Sequence, residues 1–76
     1  MTELIEFLVK ALVEDPNAVV VEELEEEGDL VYEVTVAEGD LGRVIGKGGR
    51  VANAIRTIAK AAAVRIDRRV IVDILD

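Results

Sequence analysis

Three of the six glycines in this 76-residue chain lie in one stretch, Gly46-Lys47-Gly48-Gly49, between two segments with helical spacing. Glycine tolerates a positive φ and has no Cβ, so such a loop can turn sharply and let another molecule approach its backbone. The helix that follows would direct unpaired N–H groups and its positive dipole end toward the loop. We interpret residues 46–49 as a binding site for a phosphodiester backbone, with Lys47 and Arg50 adding positive charge.

Two other phosphate-binding glycine motifs fit this stretch poorly. A nucleotide-hydrolase loop needs four residues before its Gly-Lys and a Ser or Thr after it, but three residues separate Gly42 from Gly46, and Gly48 follows the lysine. A dinucleotide fingerprint needs a third glycine where Val51 stands. A plain helix–turn–helix with glycines for tightness is the remaining alternative, although such a turn has no need of Lys and Arg.

Charge is divided unevenly between the two halves of the chain. The net charge is −7, yet residues 1–39 hold twelve acids and one base, whereas residues 40–76 hold four acids and eight bases. Screening over about 8–10 Å lets the two halves act separately on a polyanion. We predict a basic rim of Arg43, Arg50 and Arg56 around the loop. The alternative is an ordinary helix surface with uneven charge.

Composition excludes several classes of chemistry. The chain has no Cys, His or Ser, which excludes disulfides, thiolate or serine nucleophiles, zinc fingers and iron–sulfur ligation. We therefore expect no catalytic residues, no metal and no cofactor, and a reducing cytoplasm suits such a chain. The acidic run 22–29 predicts a solvated edge; a calcium loop is a weaker alternative. Phe7 and Tyr32 are too few for a base-stacking platform, and no signal peptide or transmembrane helix is expected.

The first element predicted is a helix over residues 3–14. Its apolar residues recur at helical spacing: Leu4, Phe7, Leu8, Ala11 and Leu12. Thr2 is the candidate N-cap, and Pro16 is expected to end the helix. The apolar stripe is wide, because Ile5, Val9 and Val13 extend it. Such a stripe predicts burial against a sheet, with a dimer seam as the alternative.

Two strands follow, over residues 18–26 and 30–37, with Gly28-Asp29 as the turn between them. The glutamates within 22–27 would suit a helix equally well, but the β-branched residues 19–21 and the following hairpin favour a strand. The second strand alternates, with Tyr32, Val34 and Val36 on one face. A short helical turn is predicted within 39–45. A helix over 50–64 should bury Val51, Ile55, Ile58 and Ala62, and a last strand covers 69–75. The chain is predicted to be one α+β domain, residues 1–76.

These residues carry a resemblance to a known family. Val44-Ile45-Gly46, two residues and Gly49, placed between two helices, resemble the signature of the KH domain. The element order resembles the type II arrangement, α-β-β-α-α-β, with a three-stranded sheet packed on helices. Nearly the whole chain resembles the KhpA family, small bacterial proteins with a single KH domain. The matching segments are residues 3–7, 36–38, 41–47 and 70–74.

The resemblance implies RNA binding and a set of site residues. It implies a cytoplasmic, RNA-chaperone-like protein that binds single-stranded RNA with its Gly-x-x-Gly loop, residues 46–49, and needs no cofactor. From the residues themselves we expect Arg43, Arg50 and Arg56 to contact the RNA backbone, and the apolar Val44 and Ile45 to form a floor for bases. The family also implies a homodimer, a larger KH partner of the KhpB (Jag/EloR) type, and a role in cell elongation, cell shape and cell-wall biogenesis. The alternative is a protein–protein adaptor with a KH fold, in which RNA binding is secondary.

Overall fold

Helices cover one face of a three-stranded sheet in the computed structural model, which describes residues 1–76. The order along the chain is α-β-β-α-α-β, which confirms the predicted α+β arrangement. Short 3₁₀ turns join several of the elements. The helices and strands are α1 Thr2–Leu12, β1 Val20–Glu26, β2 Asp29–Thr35, α2 Leu41–Ile45, α3 Arg50–Ala62 and β3 Val70–Ile74.

The sheet has the order β1-β2-β3, so β2 is central and β1 and β3 are edges. β1 and β2 are antiparallel, whereas β2 and β3 are parallel. Within β2, Tyr32 and Val34 are buried and Glu33 between them is half-buried, as predicted, but Val31 is buried as well and Val36 lies beyond the end of the strand. Burial alternates in β3, where Val70 and Val72 are buried and Ile71 is exposed. These inward side chains meet α1 and α3 in one hydrophobic core.

The ends of α1 differ from the prediction. Thr2 is already helical, Met1 is the N-cap residue, and no side chain caps this end. The helix ends at Leu12, four residues before Pro16, so the proline does not terminate it. Val13, which follows, is extended. The next two backbone N–H groups donate to the carboxylate of Asp40, which replaces further helical hydrogen bonds there.

The buried face of α1 is also narrower than the stripe suggested. Ile5 and Val9 are fully buried, whereas Phe7 is 71% exposed. Helical geometry explains this, because Phe7 lies about 200° around the axis from Ile5. The wide apolar stripe is therefore buried along its centre and solvated along one border.

The hairpin between β1 and β2 turns one residue earlier than predicted. Glu26 pairs with Asp29, so the two loop residues are Glu27 and Gly28 rather than Gly28-Asp29. Both have positive φ, 51° and 89°, which matches the right-handed twist of a tight two-residue hairpin. β2 accordingly starts at Asp29 and ends at Thr35.

The buried face of α3 is rotated from the predicted one. Ala52, Ile55 and Ala59 are buried, whereas Ile58 is 43% exposed. The small side chains of Ala52 and Ala59 let the helix lie close to the sheet on either side of Ile55, so this face, and not the one with Ile58, packs on the core. α3 ends at Ala62, and a 3₁₀ turn extends it to Arg65.

No helix here has both the length and the apolar character required to cross a bilayer.

Candidate nucleic-acid interface

The Gly-x-x-Gly loop is a sharp turn that brings α2 close to α3. Gly46 has φ 76°, and a Cβ added there would lie 2.4 Å from Val51 Cγ2 and 2.8 Å from the Val51 backbone nitrogen. Gly48, with φ 65°, has open space on its outer side. Gly46 thus serves close packing between the helices, whereas Gly48 leaves the tip of the loop accessible to a ligand.

The N-terminus of α3 faces this loop without a side-chain cap. Its N-cap residue is Gly49, in the left-handed region, and no side chain accepts a hydrogen bond from the first turn. The unpaired N–H groups and the positive end of the helix dipole therefore lie next to Lys47 and Arg50 in the chain, and both of these side chains are exposed. This combination can attract and hold an anionic oxygen.

The cations of the chain fall into two groups. Five of the nine Lys and Arg side chains have no carboxylate within 4.0 Å, and all five lie on the loop, α3 and the turn after it. The other four are paired with Asp or Glu. The unpaired group comprises Lys47, Arg50, Arg56, Lys60 and Arg65. Positive potential is therefore concentrated along one side of the molecule, although the chain as a whole is acidic.

The predicted basic rim is only partly assembled. Arg50 projects freely, but Arg43 forms an ion pair with Glu14, 2.5 Å from Nη2 to Oε1. Arg56 donates from Nε to the backbone oxygen of Val72 at 3.1 Å, so it bridges α3 and β3. The structure brings Lys47 and Arg50 together and gives Arg43 and Arg56 intramolecular partners.

The two apolar residues before the loop occupy different environments. Val44 is fully buried in the core cluster and supports the loop from beneath. Ile45 is half-buried and remains able to contact a ligand at the surface. Of the predicted floor for bases, the structure places only Ile45 at the surface.

Sequence reasoning missed a groove between α3 and the edge strand β3. A depression of about 240 Å³ is lined by Arg56, Lys60 and Arg69 with the strand residues Val70, Ile71 and Val72. A neighbouring depression of about 400 Å³ shares Lys60, Arg69 and Val70 and continues toward Val64. Two hydrogen bonds to Asp29, together with its charge, raise the pKa of Arg69.

The outer edge of β3 offers backbone hydrogen-bonding groups to this groove. Leu30 donates to the Arg69 oxygen and Leu75 donates to the Val34 oxygen, so the odd-numbered residues of β3 bond to β2. In a parallel pair the N–H and C=O of one residue point to the same neighbour, so Val70 and Val72 point outward. The sequence predicted a strand over residues 69–75 but not its place in the sheet. Predicting that this strand lies at an edge would have indicated the groove.

No group of three or more His, Cys, Asp or Glu side chains has a metal-binding arrangement. The polar atoms of the site are cationic side chains and backbone amides, and these suit an anionic, extended ligand.

Comparison with known proteins shows strong sequence similarity to one group. Residues 2–74 match the family model described as KhpA/KhpB, KH domain. The chain is 49% identical over 75 residues to the RNA-binding protein KhpA of Caldanaerobacter subterraneus subsp. tengcongensis, covering 99% of this chain and 100% of that protein. It is 48% identical to the RNA-binding protein KhpA of Clostridium acetobutylicum, with the same coverage of 99% and 100%.

The fold is also present in a larger protein of known structure. Crystalline Aquifex aeolicus Era Y63A bound to GDP·AlF₄⁻ superposes with a TM-score of 0.69 at 20% identity, over 96% of this chain and 28% of that one. This likeness concerns the fold alone. The match along nearly the full length, at close to half identity, shows that the chain belongs to the KhpA/KhpB family of KH domains.

Proposed function

We propose that this chain binds single-stranded RNA, gripping its sugar-phosphate backbone with residues 46–49 and the N-terminus of α3. The observation that best supports this proposal is the distribution of the cations. Every Lys and Arg without a carboxylate partner lies between residues 47 and 65. The phosphate oxygens of RNA would pair with these cations. Relatives named RNA-binding protein KhpA support the same conclusion.

The α3–β3 groove would receive the bases of the bound strand. Lys60 follows the loop along α3 by about 15 Å, estimated from 1.5 Å per residue between positions 50 and 60. The outward amides of Val70 and Val72 and the outward carbonyl of Val70 would hydrogen-bond to base edges, whereas the Val72 oxygen already accepts from Arg56 Nε. Because most of the proposed contacts go to phosphates, which carry no sequence information, we expect little sequence specificity.

A charge-reversal variant with a composition-matched control tests the loop. Lys47→Asp/Gly48→Asp places two negative charges at the tip, where a side chain added at position 48 has open space and Asp tolerates the left-handed backbone. Lys10→Asp/Gly39→Asp makes the same exchange on α1 and at an open glycine before α2. We expect RNA affinity to fall more than about tenfold in the first variant and less than about threefold in the second.

Salt dependence measures the phosphate contacts directly. With three phosphates neutralised on a single strand, the log–log slope of affinity against salt should be roughly −2. Absence of binding by the parent protein at low salt, or equal losses in the two charge-reversal variants, would refute the proposed clamp.

The finer parts of the proposal rest on family membership. They are an RNA-chaperone-like role in the cytoplasm, a larger KH partner of the KhpB type, and a contribution to cell elongation and envelope growth. Cell length in a strain lacking the chain tests the last of these, and unchanged length would exclude it.

A second candidate function is a protein–protein adaptor that keeps the KH fold. Exposed apolar side chains favour it, since Phe7 and Val64 are 71% and 77% exposed. An adaptor would bind its partner at salt concentrations that abolish RNA binding, because apolar contacts are not screened.

A further inference from the structure

Arg43 lies between two carboxylates of very different solvent exposure. Asp40 is only 4% exposed, and its two oxygens accept the backbone N–H groups of Glu14 at 3.1 Å and Asp15 at 3.0 Å. It also lies 3.5 Å from Arg43 Nε. Glu14, the second carboxylate, is 74% exposed and contacts only the outer nitrogen of Arg43, at 2.5 Å. Asp40 is therefore a fixed anchor, whereas the Glu14 side chain can leave.

The position of Arg43 makes this pairing relevant to the loop. Arg43 is three residues before Gly46, one turn of α2 or less, which is roughly 4.5 Å along the helix axis. Carboxylate and phosphate oxygens match the same guanidinium fork. A phosphate on the loop and the Glu14 carboxylate would therefore compete for one group.

We propose that Glu14 is a built-in competitor of RNA for Arg43, and that Asp40 positions the guanidinium for this exchange. Arg43 binds Glu14 in the free protein and reaches RNA only when that exposed pair opens, while Asp40 stays in place. The inference rests on the proposed function and deepens it by ranking the cations. Lys47 and Arg50 contact RNA directly. Arg43 contacts RNA only after its ion pair with Glu14 has opened, and the cost of opening that pair lowers the affinity for RNA.

A double-mutant cycle on RNA affinity tests this competition. Four proteins are titrated with labelled single-stranded RNA: the parent, Glu14→Gln, Arg43→Ala and the double variant. We expect Glu14→Gln to bind two- to fivefold more tightly, because an exposed ion pair is weak. Arg43→Ala should change the affinity less than about twofold in the parent, yet abolish the gain in the Glu14→Gln background.

Glu38→Gln is the matched control, because Glu38 is exposed, precedes α2 and forms no ion pair. It removes the same charge without releasing Arg43, so its affinity should change less than about twofold. The salt slope separates competition from a structural effect: it should steepen by about 0.7 in Glu14→Gln, for one added phosphate contact, and stay constant in Glu38→Gln.

The outcomes separate the two proposals. Equal effects of Glu14→Gln and Glu38→Gln, or the same loss from Arg43→Ala in both backgrounds, would overturn the competition while leaving RNA binding intact. Failure of the parent and all variants to bind RNA would overturn the proposed function, and the competition with it. Thermal unfolding of each variant establishes that the comparisons are made on folded proteins.

Discussion

The hydroxyl of Tyr32 is a polar group that is buried in this small core. Its side chain is 1% exposed, and its hydroxyl donates to Glu23 Oε1 at 2.7 Å. Burial, followed by the hydrogen bond and charge of Glu23, raises the pKa of Tyr32 to about 12. The folded protein therefore holds this proton more tightly than the unfolded chain, whose pKa is 10.0.

That difference predicts a loss of stability in alkali. The contribution of Tyr32 is present below pH 10 and is lost as the pH rises toward about 12, where the folded state ionises too. The two pKa values give a loss of about 1 kcal/mol between pH 9 and pH 11. Urea unfolding at these two pH values should show this loss in the parent and not in Tyr32→Phe. Equal pH dependence of the two proteins would contradict the assignment.

At the scale of elements, two of the three glycines in the turn between α2 and α3 have different structural roles. Gly46→Ala would create contacts below 3.0 Å with Val51 at a positive φ, so we expect it to lower the free energy of unfolding by more than about 2 kcal/mol. Gly48→Ala has the backbone strain without the clash and should cost about 1 kcal/mol.

Chemical denaturation of three alanine variants measures the difference. Gly39→Ala is the control, since Gly39 has neither a positive φ nor a close neighbour, and its stability should match or exceed that of the parent. If Gly46→Ala were no less stable than Gly48→Ala, the close approach of α2 to α3 at this glycine would be disproved.

At the scale of the whole molecule, a thin core leaves apolar surface uncovered. A chain of this size buries only about 60% of the surface exposed by its unfolded form. Phe7 on α1 and Ile58 on α3 are 71% and 43% exposed. We expect a dimer at tens of micromolar, seen in sedimentation as twice the 8.2 kDa chain mass.

A pair of variants locates the dimer surface. Phe7→Glu should sediment as a monomer, because a charge would have to be buried in the interface. Val20→Glu makes a similar exchange at a 57% exposed residue of the edge strand β1 and should leave the dimer unchanged. A parent protein that stays monomeric up to about a millimolar, or equal effects of the two variants, would exclude this dimer.

The sequence by itself determined the elements and the family. Val, Ile and Tyr alternating at period two identified β2 and β3, and helical spacing identified α1 and α3, because these patterns reflect contacts between near neighbours in the chain. The residues 44–49 identified the KH loop for the same reason: the glycines and the apolar pair before them are local requirements of one turn. Element ends were less accurate, as at Leu12, where a distant carboxylate replaces the local signal.

Only the tertiary structure decided which cations are available. Arg43 pairs with Glu14, 29 residues away, and Arg69 pairs with Asp29, 40 residues away. No periodicity encodes such pairs, because they depend on how α1 and the β-hairpin are placed against the rest of the fold. The edge position of β3 and the groove beside it have the same origin. Charge counts located the basic half of the molecule, and long-range packing selected the residues within it that are left for an anionic ligand.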